Sequence, residues 1–206
     1  PFDSGEAPSL SSRSAPHRRA RVNELARTED HGDRLVVLNA NPSRRNVLSD
    51  AYYEAVIAAM RRAAEEPRIA TVLLRGEGGF FCAGGDLREL AARREASREE
   101  RVGAIEALHD VIRAIVRCPK PVIAVVEGGA AGAGVSIAFA CDLVVAEEGA
   151  SFTAAYVKAG LVPDGGLTRT LATRLPAPFA ARMALLGEAI PARRLHEIGA
   201  LSELAP

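Results

Sequence analysis

Two glycine-rich stretches decide the fold of this chain: Phe81-Cys82-Ala83-Gly84-Gly85-Asp86-Leu87 and Glu127-Gly128-Gly129-Ala130-Ala131-Gly132-Ala133-Gly134. Each stretch follows a run of strand-like residues and leads into a helix-like segment. Two turns of this kind can direct two backbone N–H groups at one point, and such a pair stabilises a developing oxyanion. The sequence therefore predicts a site built from backbone donors at two strand-to-helix turns.

In the first turn, Asp86 can cap the helix that follows, since its carboxylate can accept backbone N–H groups. Gly85 then presents its own N–H outward. In the second turn a helix opens at Ala133, which places the Ala133 N–H at the positive end of a helix dipole.

The composition is that of a globular protein without a charged partner. The 206 residues suffice for one domain with a sizeable core, and 26 basic residues balance 26 acidic ones. This balance argues against nucleic acid or an anionic membrane as the main partner. Three separated cysteines fit no metal-ligand spacing and indicate a reducing, cytoplasmic setting. We expect no membrane span, no signal peptide, no metal and no cofactor.

The order of the predicted elements indicates a flexible extension followed by one α/β domain. Residues 1–21 are rich in Ser, Pro and Arg and are predicted to be flexible, and residues 22–206 to form the domain. Predicted strands cover residues 23–28, 34–39, 69–75, 122–126, 143–146 and 151–153. Predicted helices cover 50–66, 87–94, a long segment ending near 117, 133–140, 168–175, 177–185 and 192–198. Strands separated by crossover helices are typical of α/β folds.

The two longest predicted helices each have one apolar face. In the first, this face consists of Tyr53, Val56, Ile57 and Met60. In the helix that ends near residue 117, it consists of Ile105, Leu108, Val111, Ile112 and Ile115. We expect both faces to point into the core.

Several further motifs accompany the glycine turns in a fixed order. They are Asn41 to Leu48, Pro119 to Val125, Ala140-Cys141-Asp142, Gly160-Leu161-Val162-Pro163-Asp164-Gly165-Gly166 and Gly187-Glu188-Ala189-Ile190. From about residue 23 to the end, the chain resembles the enoyl-CoA hydratase/isomerase (crotonase) superfamily. The resemblance implies a crotonase-like spiral of ββα units, an acyl-CoA thioester substrate and a homotrimer or dimer of trimers. Relatives continue past residues 201–206 with further helices, which are expected to be missing here.

The resemblance also implies roles for individual residues. The backbone N–H groups of Gly85 and Ala133 would form the oxyanion hole, although most relatives have glycine at the second position. Residues expected to contact the substrate or its CoA moiety are Arg44, Arg45, Ala83, Gly84, Gly85, Asp86, Leu87, Gly132, Ser136 and Tyr156. For the two arginines, a solvated loop is an equally good interpretation. Residues 88–110 are expected to supply the wall of the acyl pocket.

Hydratases of this superfamily hold a water between two glutamates, and this chain has Ser136 and Tyr156 at those positions. Asp164 is the remaining carboxylate, at a position where several isomerases and a dehalogenase have a catalytic aspartate. One carboxylate suffices to remove and return a proton, whereas hydration needs two. The leading hypothesis is therefore an isomerase with Asp164 as acid/base. The alternatives are a hydratase-like enzyme, a hydrolase or dehalogenase with Asp164 as nucleophile, and a non-catalytic acyl-CoA-binding subunit.

Overall fold

The computed structural model describes residues 25–206, within which there are nine strands and seven α-helices. The strands are β1 (Ala26–Asp30), β2 (Arg34–Asn39), β3 (Thr71–Gly76), β4 (Val122–Val126), β5 (Gly129–Ala131), β6 (Leu143–Glu147), β7 (Ser151–Thr153), β8 (Ala189–Pro191) and β9 (Glu203–Ala205). The helices are α1 (Asp50–Glu65), α2 (Leu87–Ala92), α3 (Arg98–Arg117), α4 (Ala133–Ala140), α5 (Leu167–Arg174), α6 (Ala177–Ala181) and α7 (Ala192–Glu197).

The strands form two sheets. The larger sheet has the order β1-β2-β3-β4-β6-β9, in which β1 and β2 are antiparallel and the other neighbours are parallel. The smaller sheet has the order β5-β7-β8. Parallel neighbours require crossover connections, and helices supply them between β2 and β3 and between β3 and β4. The predicted α/β architecture is thus present.

Side-chain capping explains where the two long helices begin. The Ser49 side chain accepts the Tyr52 N–H at the start of α1. A full capping box starts α3, in which Ser97 and Glu100 accept each other's backbone N–H groups. The helices pack against each other, and α1 also covers β1 and β2.

The apolar faces of these helices differ in part from the prediction. The buried residues are Tyr52, Val56, Ala59, Met60 and Ala63 in α1, and Leu108, Val111 and Ile115 in α3. Ile57 and Ile105 were predicted to be in the core, but they are 37% and 45% exposed. The face of α1 that packs into the core includes the small residues Ala59 and Ala63, and Ile57 lies outside this face. Ile105 instead lines an open cavity, described below.

Several predicted boundaries were also wrong. The strand predicted at 23–28 is β1, which begins at Ala26 and continues to Asp30 because it pairs with all of β2 except Arg34. The short strands β5, β8 and β9 were not predicted, since each has only three residues and no alternating pattern. The predicted flexible extension, residues 1–21, lies outside the described residues, as do residues 22–24. None of the helices within 25–206 is both long enough and apolar enough to cross a membrane.

Helix α4 is apolar on all sides and is buried from Ala133 to Phe139. A helix of this kind belongs in the centre of a domain. Its first turn lies directly on the first glycine-rich turn: a Cβ atom on Gly134 would be 2.4 Å from the Cys82 carbonyl oxygen. The absence of a side chain at Gly134 is what allows this contact.

We predict that Gly134→Ala lowers the free energy of unfolding by about 1–3 kcal/mol, because the added methyl group must push α4 away from Cys82. The matched control is Gly103→Ala in α3, where a Cβ atom has no neighbour within 4 Å. That variant should gain up to about 1 kcal/mol from its higher helix propensity. Urea denaturation of both variants measures the difference, and equal midpoints would contradict the prediction.

Candidate active site

The two glycine-rich turns lie against each other through their backbones. Cys82 and Ala130 form a parallel β-bridge, and the Ala131 N–H donates to the Cys82 carbonyl at 2.9 Å. Gly84 has a φ of +85°, which favours glycine, and a Cβ atom there would be 2.6 Å from the Ala131 carbonyl oxygen. The same Cβ atom would be 3.0 Å from the Ala133 nitrogen. The predicted juxtaposition of the two turns is therefore present.

Two backbone N–H groups in these turns have no acceptor among the described residues. One belongs to Gly85 and the other to Ala133, the first residue of α4. Because Ala133 begins the helix, its N–H has no partner within it. Both residues line the same cavity. Two free donors at one cavity can bind an oxygen atom that carries negative charge.

The cavity has a volume of about 590 Å³ and a wall that is mainly apolar. The residues that line it are Leu48, Tyr53, Ala83, Gly85, Leu87, Leu90, Arg93, Arg94, Arg101, Ala104, Ile105, Leu108, Gly132, Ala133, Ala155, Tyr156, Lys158, Ala159, Leu161 and Asp164. The contribution of residues 88–110 to this wall agrees with the expectation from the sequence. An apolar cavity with a few convergent polar groups is the usual form of a small-molecule site.

Three polar residues from separate elements meet beside this cavity. The Tyr156 hydroxyl donates to Asp164 Oδ1 at 2.6 Å, and Ser136 Oγ lies 2.9 Å from the Tyr156 hydroxyl. Since the single Tyr156 proton goes to the carboxylate, Ser136 is the donor in the second contact. Its one proton is shared between the Tyr156 oxygen and the Asp164 carbonyl oxygen, which lies 3.2 Å from Ser136 Oγ. Within the described part of the chain, Asp164 Oδ2 has no partner, which leaves one carboxylate oxygen free at the cavity.

Burial sets the acidity of two groups near the donors. Burial raises the pKa of Tyr156 well above its usual value, and the Asp164 charge and hydrogen bond raise it further. Tyr156 therefore remains a hydrogen-bond donor throughout the physiological pH range. Burial also raises the pKa of the Cys82 thiol to about 12. A thiol of this kind is unreactive at neutral pH, so Cys82 is a packing residue.

The cavity wall does not include Asp86, Arg44 or Arg45. Asp86 caps α2 by accepting the Arg88 N–H at 2.9 Å, and its carboxylate forms an ion pair with Arg44. Burial acts to raise the pKa of Asp86, but these two partners outweigh it and leave the pKa lowered. The Arg45 guanidinium lies 5.6 Å from the centre of the Phe80 ring. The structure thus gives both arginines protein partners, and a role in binding CoA stays a prediction for them.

The other predicted contact residues fall into two groups. Ala83, Leu87 and Gly132 line the cavity beside the two donors. Gly84 lies behind them, where its carbonyl accepts the Leu48 N–H at 2.9 Å, and Ser136 is fully buried beneath Tyr156.

Asn46 supports the first turn, and reasoning from the sequence did not assign it this role. It is fully buried and has a φ of +55°, and its side chain accepts the Asn41 N–H and donates to the Glu77 carbonyl, each at 2.8 Å. The loop before α1 is thereby fixed to the segment that leads into the first glycine turn. An asparagine in a loop after a strand is a signal for such a left-handed residue.

Residues 35–206 match the family profile described as enoyl-CoA hydratase/isomerase. The chain belongs to the enoyl-CoA hydratase/isomerase family. It is 37% identical over 171 residues to a Rhodobacter capsulatus protein named probable enoyl-CoA hydratase, covering 83% of this chain. It is 33% identical over 171 residues to the 1,2-epoxyphenylacetyl-CoA isomerase of Escherichia coli, covering 82% of this chain. The chain spans 65% of the length of each of these two relatives.

Solved structures of enoyl-CoA hydratases are similar to this family member. The Polaromonas sp. structure superposes with a TM-score of 0.84 at 44% identity, covering 87% of this chain and 70% of the other. The structure from Mycobacterium avium subsp. paratuberculosis superposes with a TM-score of 0.77 at 34% identity, covering 88% and 68%. The predicted crotonase-like fold is confirmed.

The three tyrosines of this enoyl-CoA hydratase/isomerase family member offer a direct test of its interior. Burial is the main cause that raises the pKa of Tyr52, Tyr53 and Tyr156. Because folding raises these values, the associated stability is present below the unfolded phenol pKa, about 10, and is lost as the pH rises above it.

We therefore predict almost no phenolate absorbance at 295 nm in the native protein at pH 10. In denaturant at the same pH, about half of the phenols should be ionised. Thermal unfolding should occur at progressively lower temperature above pH 10. Native absorbance equal to that in denaturant, with the fold intact by circular dichroism, would contradict the burial of these side chains.

Proposed function

We propose that this chain processes acyl-CoA thioesters and isomerises a double bond through a thioester enolate. The observation that supports this best is the common cavity of the Gly85 and Ala133 N–H groups and the Asp164 carboxylate. The donors suit a thioester oxygen that gains charge, and the carboxylate suits a carbon beside the thioester. The Escherichia coli relative named 1,2-epoxyphenylacetyl-CoA isomerase supports isomerisation of a CoA ester, although its name refers to an epoxide.

In the first step, Asp164 Oδ2 would remove a proton from the acyl chain at the carbon next to the carbonyl or at the vinylogous position. The electron pair shifts towards the thioester oxygen, which accepts hydrogen bonds from Gly85 and Ala133. In the second step the protonated Asp164 returns the same proton at the other position. The reaction is balanced without water or an external oxidant, and it needs no cofactor beyond the CoA carried by the substrate. Each good backbone donor can contribute on the order of 10²–10³ in rate.

Tyr156 would serve to hold the base. Its hydroxyl donates a hydrogen bond to Asp164 Oδ1 at 2.6 Å. This bond would direct the other carboxylate oxygen to the reacting carbon. Ser136, fixed one helical turn after Ala133, orients Tyr156 through the 2.9 Å contact. The three residues thus connect the base to the helix that carries one of the donors.

A hydratase reaction is the second candidate, because several relatives have that name. The described site provides hydroxyl groups, not carboxylates, at Ser136 and Tyr156, which leaves one general base where hydration needs two groups.

Nucleophilic attack by Asp164 would give hydrolysis or dehalogenation. A non-catalytic binding subunit is a further alternative. A homotrimer or dimer of trimers, and a cytoplasmic location, stay predictions from the family resemblance.

We predict that Asp164→Asn abolishes exchange of the Cα and Cγ protons of unsaturated acyl-CoA esters in deuterated buffer, a loss of at least about 10²-fold. The substitution keeps the shape of the side chain and an acceptor for Tyr156, and removes only the basic oxygen. NMR of the ester signals measures the exchange. Asp110→Asn, an exposed position on α3, is the control and should exchange like the unaltered protein.

Two results would exclude the isomerase. Binding of the ester without exchange in the unaltered protein would favour the non-catalytic alternative. A mass increase of the protein that Asp164→Asn removes would show a covalent acyl or aryl intermediate, and hence a nucleophilic reaction.

We predict that Tyr156→Phe lowers kcat by roughly 10–100-fold with little change in KM, since one hydrogen bond to a charged group is lost. Tyr53→Phe removes a phenol oxygen that also belongs to the cavity wall but, within residues 25–206, forms no hydrogen bond with Asp164, and it should have a much smaller effect. Steady-state kinetics of both variants provide the test. If both variants lose the same activity, Tyr156 contributes only to packing.

A further inference from the structure

The cavity wall carries more positive than negative charge. Arg93, Arg94, Arg101 and Lys158 line it, whereas Asp164 is the single acidic residue that does so. Arg93 has a partner, Glu89, at 3.3 Å. Arg94, Arg101 and Lys158 form no ion pair with any residue in 25–206. All four side chains are exposed, so water can solvate them without a protein partner. Their position at an apolar cavity nevertheless leaves them free to pair with an anionic group of a bound ligand.

Helix α3 shows where along the cavity this charge lies. Arg101, Ala104, Ile105 and Leu108 line the cavity and share one face, since they are spaced by three, four and seven residues. Leu108 marks the end near the reacting groups, because a Cβ atom on Gly165, next to Asp164, would be 3.4 Å from it. Arg101 is seven residues earlier, about 10 Å along the helix axis. The face is therefore apolar beside Asp164 and becomes cationic two helical turns away.

The position of this cationic end distinguishes between the two halves of an acyl-CoA. Under the proposed function the thioester oxygen is at Gly85 and Ala133, and Asp164 must reach carbons of the acyl chain. An acyl chain that continues from Asp164 along the α3 face, past Leu108 and Ile105, would bring its far end to Arg101.

We propose that this site takes acyl-CoA esters whose acyl chain ends in a second carboxylate, and that Arg101, supported by Arg94, binds this terminal carboxylate. The guanidinium group matches a carboxylate through two parallel N–H donors. Ala104, Ile105 and Leu108 contact the methylene groups between the two ends. This inference rests on the proposed acyl-CoA function and specifies the substrate class.

Binding of two unreactive saturated thioesters, octanoyl-CoA and suberyl-CoA, tests the proposal. They have the same chain length, and a carboxylate replaces the terminal methyl group in the second. Isothermal titration calorimetry should show roughly tenfold tighter binding of suberyl-CoA, and added salt should reduce this preference. Equal affinities, or tighter binding of octanoyl-CoA, would overturn the proposal. If neither ester binds, the proposed acyl-CoA function itself fails.

Variants of α3 identify the residues responsible. Arg101→Met, and more fully Arg94→Met with Arg101→Met, should remove the preference for suberyl-CoA and leave octanoyl-CoA binding within about twofold. Arg101→Lys should retain part of it. Arg98→Met is the matched control, because it removes the same charge from the first turn of α3 outside the cavity wall. A preference that survives in the double variant would overturn the assignment.

Pantetheine thioesters of the same two acyl groups separate the acyl carboxylate from the phosphates of CoA. If the arginines bind the terminal carboxylate, the preference persists with these phosphate-free esters. If the substitutions weaken both CoA esters equally and leave the pantetheine esters unaffected, the arginines bind the CoA phosphates and the proposal is wrong.

Discussion

The site depends on one close contact between two segments of backbone. The turn at Gly84 and the first turn of α4 touch without side chains between them, and Cβ atoms at Gly84 or Gly134 would be 2.4–2.6 Å from carbonyl oxygens of the opposite turn. The Ala131 N–H bond to the Cys82 carbonyl fixes the register of this contact. Two donors that belong to different crossover units can point to one position only at such a separation. The glycines are therefore needed for proximity as much as for conformation.

This contact has a cost that the rest of the domain must offset. The N–H groups of Gly85 and Ala133 have no acceptor within residues 25–206, and an unpaired donor at a largely apolar cavity is unfavourable. Helix α4 compensates by burying nearly all of its side chains in the core. Its single polar side chain, Ser136, is fully buried and satisfied by Tyr156 and the Asp164 carbonyl. One apolar helix thus supports a donor at its start and, one turn later, the position of the carboxylate.

Much of this arrangement could be predicted from the sequence, because it follows from local patterns. Strand, glycine turn and helix occur in order, so the α/β sheet and the meeting of Gly85 and Ala133 at one cavity could be predicted. The short strands β5, β8 and β9 could not be predicted, because they are defined by their pairing with β7 or β6 and three residues carry no periodic signal. Ile105 was assigned to the core because its spacing matches Leu108. Only the tertiary structure shows that this part of the face borders a cavity.

The hydrogen bonds between Ser136, Tyr156 and Asp164 could not be predicted from the sequence either. The family resemblance identified Ser136 and Tyr156 as the residues at the two glutamate positions, and Asp164 as the remaining carboxylate. The hydrogen bonds that join them depend on how the loop at Gly165 folds over α4, with a φ of +57° and Ser136 directly below. Sequence spacing contains no information on such a contact between residues 20 and 28 positions apart.

The two replacements also change the charge of the cavity. Hydroxyl groups at Ser136 and Tyr156 carry no charge, because burial keeps the phenol protonated. Asp164 is then the one acidic residue in a wall with four cationic side chains. Glutamates at both positions would give three acids against four cations, and the attraction of this cavity for a carboxylate would be weaker. Under the proposed reaction and substrate class, the same two hydroxyl residues therefore leave a single base for proton transfer and keep the net charge of the cavity positive.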